Sequence, residues 1–197
     1  MIETSRGIPE FDEHGNLPYN CYEVTLDEIE EHFVNSFPLS KSRKSRFECF
    51  LNFYRELTKN VKSCIRIIID GSFVENNPHP FDIDLVVVVD YERANDYEIN
   101  YLITECDYND IIKKEYLLLK NQVEKGNENF SSLFQLEFYQ FGCDIHFFLK
   151  YPINHPLYKK GYEDRLNYWI GLFGKDRKEF PKGFLNLVVD YGGNLNE

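Results

Sequence analysis

The reading of the fold turns on residues 64–90: CIRIIID (Cys64–Asp70), GSFVENNPHPF (Gly71–Phe81) and DIDLVVVVD (Asp82–Asp90). Two runs rich in β-branched residues are joined by a segment that opens on Gly71-Ser72 and carries Pro78 and Pro80, so the chain reads strand, turn, strand. The order of the second run is unusual. A side-chain period of two puts Asp82 and Asp84 on one face and Ile83 on the other. Leu85 to Val89 is apolar on both faces, as in a strand inside a sheet covered by helices.

Two carboxylates about 6 to 7 Å apart along such a strand repel each other and lose hydration, unless a cation lies between them. Oxygen donors of this kind suit Mg2+ or Mn2+, which keep several waters and bind through a few carboxylates and substrate phosphates. The plainer alternative is a solvated strand start where acids are tolerated. The preceding turn bears on the choice. Gly71 lets the backbone approach an anion closely, and Ser72 adds a hydroxyl and an N–H.

The conjunction of an apolar strand, Gly71-Ser72, nine intervening residues and Asp82-Ile83-Asp84 heading a second apolar strand resembles the signature of the nucleotidyltransferase superfamily, the DNA polymerase β-like fold. The resemblance implies that Gly71 and Ser72 hold a triphosphate and that Asp82 and Asp84 ligate Mg2+ or Mn2+. It also requires a third carboxylate on a neighbouring strand. Residues 141–149, FGCDIHFFL, form a strand-like run with one acid, Asp144, between Cys143 and Ile145. Alone in a core strand that acid would be costly. Paired across the sheet with Asp82 and Asp84 it completes a three-carboxylate metal site, and the resemblance implies that Asp144 is both a metal ligand and the base that accepts the nucleophile's proton. Asp90 and Glu137 are ranked behind Asp144, Asp90 because it lies at the far end of its strand. His146 shares a strand face with Asp144.

The match spans about Phe47 to Leu149 and looks like a minimal stand-alone member of that superfamily. Two departures stand out. Asn76, Asn77, Pro78 and Pro80 leave little room for the short helix that usually follows Gly-Ser. A long C-terminal helical domain is also missing, so repeated nucleotide addition is not expected. The implied class is α+β: a mixed β-sheet flanked by helices, the nucleotidyltransferase (polymerase β-like palm) fold with an N-terminal arm.

With 197 residues, 43% apolar and 16% aromatic, the chain is long enough for one sizeable core and too apolar for general disorder. Its longest aliphatic run is far too short to cross a bilayer and its first residues are polar, so no membrane association and a cytoplasmic location are expected. Five scattered cysteines without C-x-x-C spacing read as reduced thiols. A net charge of −11 disfavours grip on a long nucleic acid, which depends on neutralising phosphates, and favours a small nucleotide with metal or a protein acceptor.

Along the chain, residues 1–23 read as an extended arm with a short hairpin at Asp12 to Asn16. Thr25 and Glu28 form a capping box that opens a short helix to about Val34. Residues 1–40 are thus an arm with a short helix, and 41–197 the nucleotidyltransferase-like domain. Lys41, Arg43, Lys44 and Arg46 lead a helix with Phe47, Phe50, Leu51, Tyr54 and Leu57 as its core stripe. That basic cluster reads as a solvated helix start in preference to a phosphate clamp. Further helices are expected within Asp90–Asp107, over Asn109–Lys125 and over Tyr162–Phe173, and strands over Phe130–Tyr139 and Phe184–Asp190. Lys175, Arg177, Lys178 and Lys182 form a late basic turn that reads as a solvated loop, with contact to a triphosphate as the alternative.

Three functions remain open at this point. One is metal-dependent transfer of a nucleoside monophosphate from ATP or another triphosphate to a protein, small molecule or RNA end. Another is an antitoxin-like protein that binds or nucleotidylates a toxin partner, and the third is a scaffold that keeps the fold without the chemistry.

Overall fold

The computed structural model of the chain describes residues 4–103 and 142–189. Six strands, β1 (Thr4–Arg6), β2 (Cys21–Val24), β3 (Cys64–Asp70), β4 (Ile83–Asp90), β5 (Cys143–Lys150) and β6 (Phe184–Val188), form one sheet in the order β1-β2-β6-β3-β4-β5. β3 runs antiparallel to both its neighbours, β6 and β4, whereas the β1–β2, β2–β6 and β4–β5 pairs are parallel. Among the described residues the α-helices are α1 (Leu26–Glu30), α2 (Arg43–Asn60), α3 over 96–103 and α4 (Asp164–Phe173). The chain is therefore α+β, with a mixed sheet flanked by helices.

Both sheet faces are covered, which accounts for the unbroken apolar run in β4. Ile67, Ile69, Leu85, Val87, Leu185 and Leu187 face a core that contains Ile29, Phe33, Phe47, Phe50, Phe53 and Leu57. The alternate residues Ile68, Val86, Val88, Phe148 and Phe184 pack with Phe173, against Leu166 and Trp169 of α4. Each large apolar side chain so buried contributes about 1.5 to 3 kcal/mol. At α1, the Thr25 hydroxyl accepts from Glu28 N–H (3.2 Å) and Glu28 Oε2 accepts from Thr25 N–H (2.7 Å), the expected capping box.

Two expectations need correction. The first twenty-odd residues are not merely an arm, because β2 lies inside the sheet between β1 and β6. Its four residues, CYEV, are too few to show a period, and burial of Cys21, Tyr22 and Val24 comes only from neighbours distant in sequence. The turn at Asp12 to Asn16 does form, closed by Gly15 N–H to Asp12 O (3.0 Å) and Asp12 N–H to Asn16 O (2.8 Å).

The second correction concerns the basic cluster. Arg43 is fully buried, and its guanidinium donates to the carbonyls of Phe33 (2.9 Å), Phe73 (2.7 Å), Glu75 (2.6 Å) and Asn77 (2.6 Å) while lying 3.8 Å over the Phe37 ring. Burial pulls its pKa down to about 10, with Glu75 opposing, so it stays charged at neutral pH. Arg43 is neither solvated nor a phosphate clamp. It ties the loop that follows Gly71-Ser72 to α2 and to the helical stretch Glu31–Asn35 after α1 through donors that only a planar fork can aim in this way.

The helix expected over Asn109–Lys125 and the strand over Phe130–Tyr139 lie outside the described residues, as does Cys106.

Candidate active site

The site begins with strand register. In the antiparallel β3–β4 pair Asp70 stands opposite Asp84, and in the parallel β4–β5 pair Asp84 stands beside Asp144. Three carboxylates thus lie in one row across three adjacent strands. Alternation with Ile68, Val86 and Phe148 puts all three on the sheet face that carries α4. Asp82 lies two residues ahead of Asp84, just outside β4.

Gly71 leaves β3 at φ +79°, and a Cβ built on it would fall 1.8 Å from Asp84 Oδ2. Any side chain there would strain the backbone and drive into the carboxylate, so glycine is required on both counts. The chain then makes a short 3-10 turn, Gly71–Val74, anchored by the buried Phe73 and Val74. The helix expected to be curtailed by Asn76 to Pro80 is indeed reduced to this turn.

Gly71, Ser72, Asp82 and Asp84 line a cleft of about 310 Å3 together with Lys175, Arg177 and Lys182. The basic turn therefore borders the acidic strand mouth: Lys175, Arg177 and Lys178 are exposed, as expected of a solvated loop, and only Lys182 is buried. Lys175 is itself ion-paired with Glu179. Lys178 lines a neighbouring cavity. Asp144 is not among the cleft-lining residues. Its carboxylate is 3.5 Å from His146 Nε2, and the His146 ring packs on Trp169 at 4.6 Å.

Lys182 is the residue that sequence reasoning misjudged most. It is only 3% exposed. Its ammonium lies 2.8 Å from Glu75 Oε1, 3.1 Å from Asp70 Oδ1 and 3.4 Å from the Gly71 carbonyl. The approach to Asp70 has ion-pair distance without hydrogen-bond alignment, since Oδ1 has no aligned donor. Burial pushes the Asp70 carboxyl well above its usual range, against the pull of Lys182 and Gly71 N–H and with added repulsion from Asp84. For Lys182 burial opposes the charge, but Asp70 and Glu75 outweigh it and hold its pKa above the ordinary value. Asp70 and Glu75 have no assigned role on sequence grounds, and Lys182 reads there as part of a solvated basic turn. The available signals were an acid closing an apolar strand directly before Gly-Ser and a lysine between Pro181 and Gly183 at the head of another.

Chemically, the cleft combines oxygen donors, a glycine-serine backbone turn and cations, of which Lys182 is buried and Lys175 and Arg177 are exposed. Among the described residues no three His, Cys, Asp or Glu side chains already converge on a metal position. No described helix is long and apolar enough to cross a membrane.

Residues 9–188 match the family described as "Family of unknown function (DUF6932)". No curated protein and no solved structure matches the chain.

Proposed function

The chain belongs to the DUF6932 family, whose function is not known, and we propose from its site that it is a metal-dependent nucleotidyltransferase of the polymerase β-like kind. The reaction moves a nucleoside monophosphate from a nucleoside triphosphate to a protein, small-molecule or RNA-end acceptor. The observation that carries this reading is the meeting of Gly71-Ser72, Asp82 and Asp84 with Lys175, Arg177 and Lys182 in one cleft.

The donor set fits Mg2+ or Mn2+. Mg2+ needs only one or two protein carboxylates, because waters and phosphate oxygens fill the remaining positions. A ready-made cage of three side chains is therefore not required. The absence of a Cβ at Gly71 leaves Asp84 Oδ2 its position at the cleft wall. Asp82 and Asp84 would hold the ion, with Asp144 beside Asp84 across the β4–β5 pair. When bound, the ion neutralises phosphate charge and lowers the pKa of an attacking hydroxyl.

The chain's own groups supply the rest. The Gly71-Ser72 turn holds the polyphosphate by N–H and hydroxyl donors. Asp144 accepts the acceptor's proton as its oxygen bonds to the α-phosphorus. The bond from the α-phosphorus to the bridging oxygen breaks, and pyrophosphate leaves toward Lys175 and Arg177, cations placed to stabilise its charge. Lys182 holds Asp70, Glu75 and the Gly71 carbonyl in place and positions the turn.

Transfer of label from α-32P nucleotides in Mg2+ or Mn2+, with cell lysate as acceptor source, tests the reading. Label transfer by the wild type and not by Asp84→Asn is expected. Absence of label together with absence of any melting-temperature change with Mg2+ and triphosphate would sink it.

A further inference from the structure

The cleft does not end at Glu75. A second cavity of about 260 Å3 lies beyond, and the two share Glu75, Asp176 and Arg177 as a common wall. The second is lined also by His14, Asn16, Asn76 and Asn77. Three segments far apart in sequence are tied together around it. Asn76 N–H donates to the Gly15 carbonyl (2.7 Å), the Asn16 amide donates to Asp176 Oδ2 (3.1 Å), and the His14 ring stacks on Phe180 with centroids 3.9 Å apart.

The two cavities differ in chemistry. The first carries the acids and cations suited to a metal-bound polyphosphate. Away from Arg177 and Lys178, the second offers side-chain amides and an imidazole. The shared wall presents two anchored carboxylates: Glu75 is held by Lys182 (2.8 Å), and Asp176 Oδ1 accepts from the N–H groups of Lys178 (2.8 Å) and Phe180 (2.9 Å). Carboxylates repel phosphate but accept hydrogen bonds from ribose hydroxyls. An asparagine amide pairs its donor and acceptor with the N6/N7 edge of adenine, and an imidazole ring gives a base a stacking surface.

We propose that this second cavity takes the ribose and adenine of a nucleotide whose polyphosphate lies in the first. Glu75 and Asp176 meet the ribose hydroxyls, the exposed Asn76 amide reads the base edge, and His14 supports its face. The assignment rests on the nucleotidyltransferase reading of the acid-bearing cleft.

The test is calorimetric titration of the full chain with ATP, CTP and inorganic tripolyphosphate in Mg2+, using wild type, Asn76→Ala and His14→Ala. Both side chains are exposed, so both variants should stay folded, with His14→Ala losing the ring contact to Phe180. ATP should bind the wild type at least about tenfold more tightly than CTP or tripolyphosphate. Each variant should lose most of that preference while binding tripolyphosphate as before. Equal binding of ATP and tripolyphosphate, or an ATP preference that neither variant changes, overturns the base assignment and leaves the cleft reading standing. Failure of both ATP and tripolyphosphate to bind removes the cleft reading and this assignment with it.

Discussion

Gly71 and Asp84 meet so closely that a methyl group on the glycine would come within 1.8 Å of the Asp84 carboxylate oxygen. The turn that would hold a triphosphate and the acid that would hold its metal are thus adjusted to each other through one missing side chain. Gly71→Ala should displace Asp84 and strain a backbone at φ +79°, at a cost of about 1 to 3 kcal/mol in stability. Urea denaturation measures the cost. The melting-temperature rise expected with Mg2+ and ATP should vanish in the same variant, and its survival would contradict the proposed link between turn and acid.

The buried pair of Lys182 and Asp70 gives a second prediction. Lys182→Met leaves Asp70 and Glu75 without their shared cation and should destabilise the fold by about 3 to 5 kcal/mol at neutral pH. Adding Asp70→Asn should restore part of that loss, which a double-mutant cycle would register as coupling between the two sites. Strictly additive losses would show that the contact carries no energy.

Asp70 also sets a pH dependence. Burial, the largest influence, raises its folded-state pKa above the unfolded value. The unfolded chain releases this proton near pH 4 while the folded chain retains it. Asp70's contribution is therefore full below that range and is lost as pH rises through its folded pKa. Asp70→Asn should flatten this part of the stability profile, and the loss in Lys182→Met should be smaller in acid than at neutrality. Denaturant midpoints across the acid range provide the check; an unchanged slope in Asp70→Asn would refute it.

Asp84 and Asp144 should separate binding from chemistry. Asp84 lines the cleft and Asp144 does not. Asp84→Asn should abolish both the Mg2+-ATP melting shift and label transfer. Asp144→Asn should keep the shift and slow transfer by about a hundredfold or more. Loss of the shift in Asp144→Asn would instead make that residue part of the binding site.

Arg43 is tested by its conservative replacement. Arg43→Met strands four buried or half-buried carbonyls and should cost about 3 kcal/mol or more. Arg43→Lys should recover little of this, since an ammonium cannot reproduce the planar fork. Near-wild-type stability in Arg43→Lys would show that charge, and not donor geometry, holds the loop.

The sequence by itself determined the strands at Cys64–Asp70 and Ile83–Asp90, the α2 stripe, and the acid-bearing strand at Cys143–Lys150. These features are local: β-branched runs, helical spacing and turn residues act through neighbours in the chain. The acids Asp82 and Asp84 and the turn Gly71-Ser72 stood out because charge and glycine interrupt an apolar pattern.

Tertiary structure alone decided the rest. Asp70 joins the carboxylate row only through the β3–β4 register, and Lys182 reaches it across more than a hundred residues of sequence. Arg43 and Lys182 were legible as charge but not as buried charge, because burial depends on which distant carbonyls and carboxylates surround a side chain. β2 was hidden for the same reason: a four-residue strand acquires its pattern from the sheet that accepts it, and that sheet is assembled from segments far along the chain.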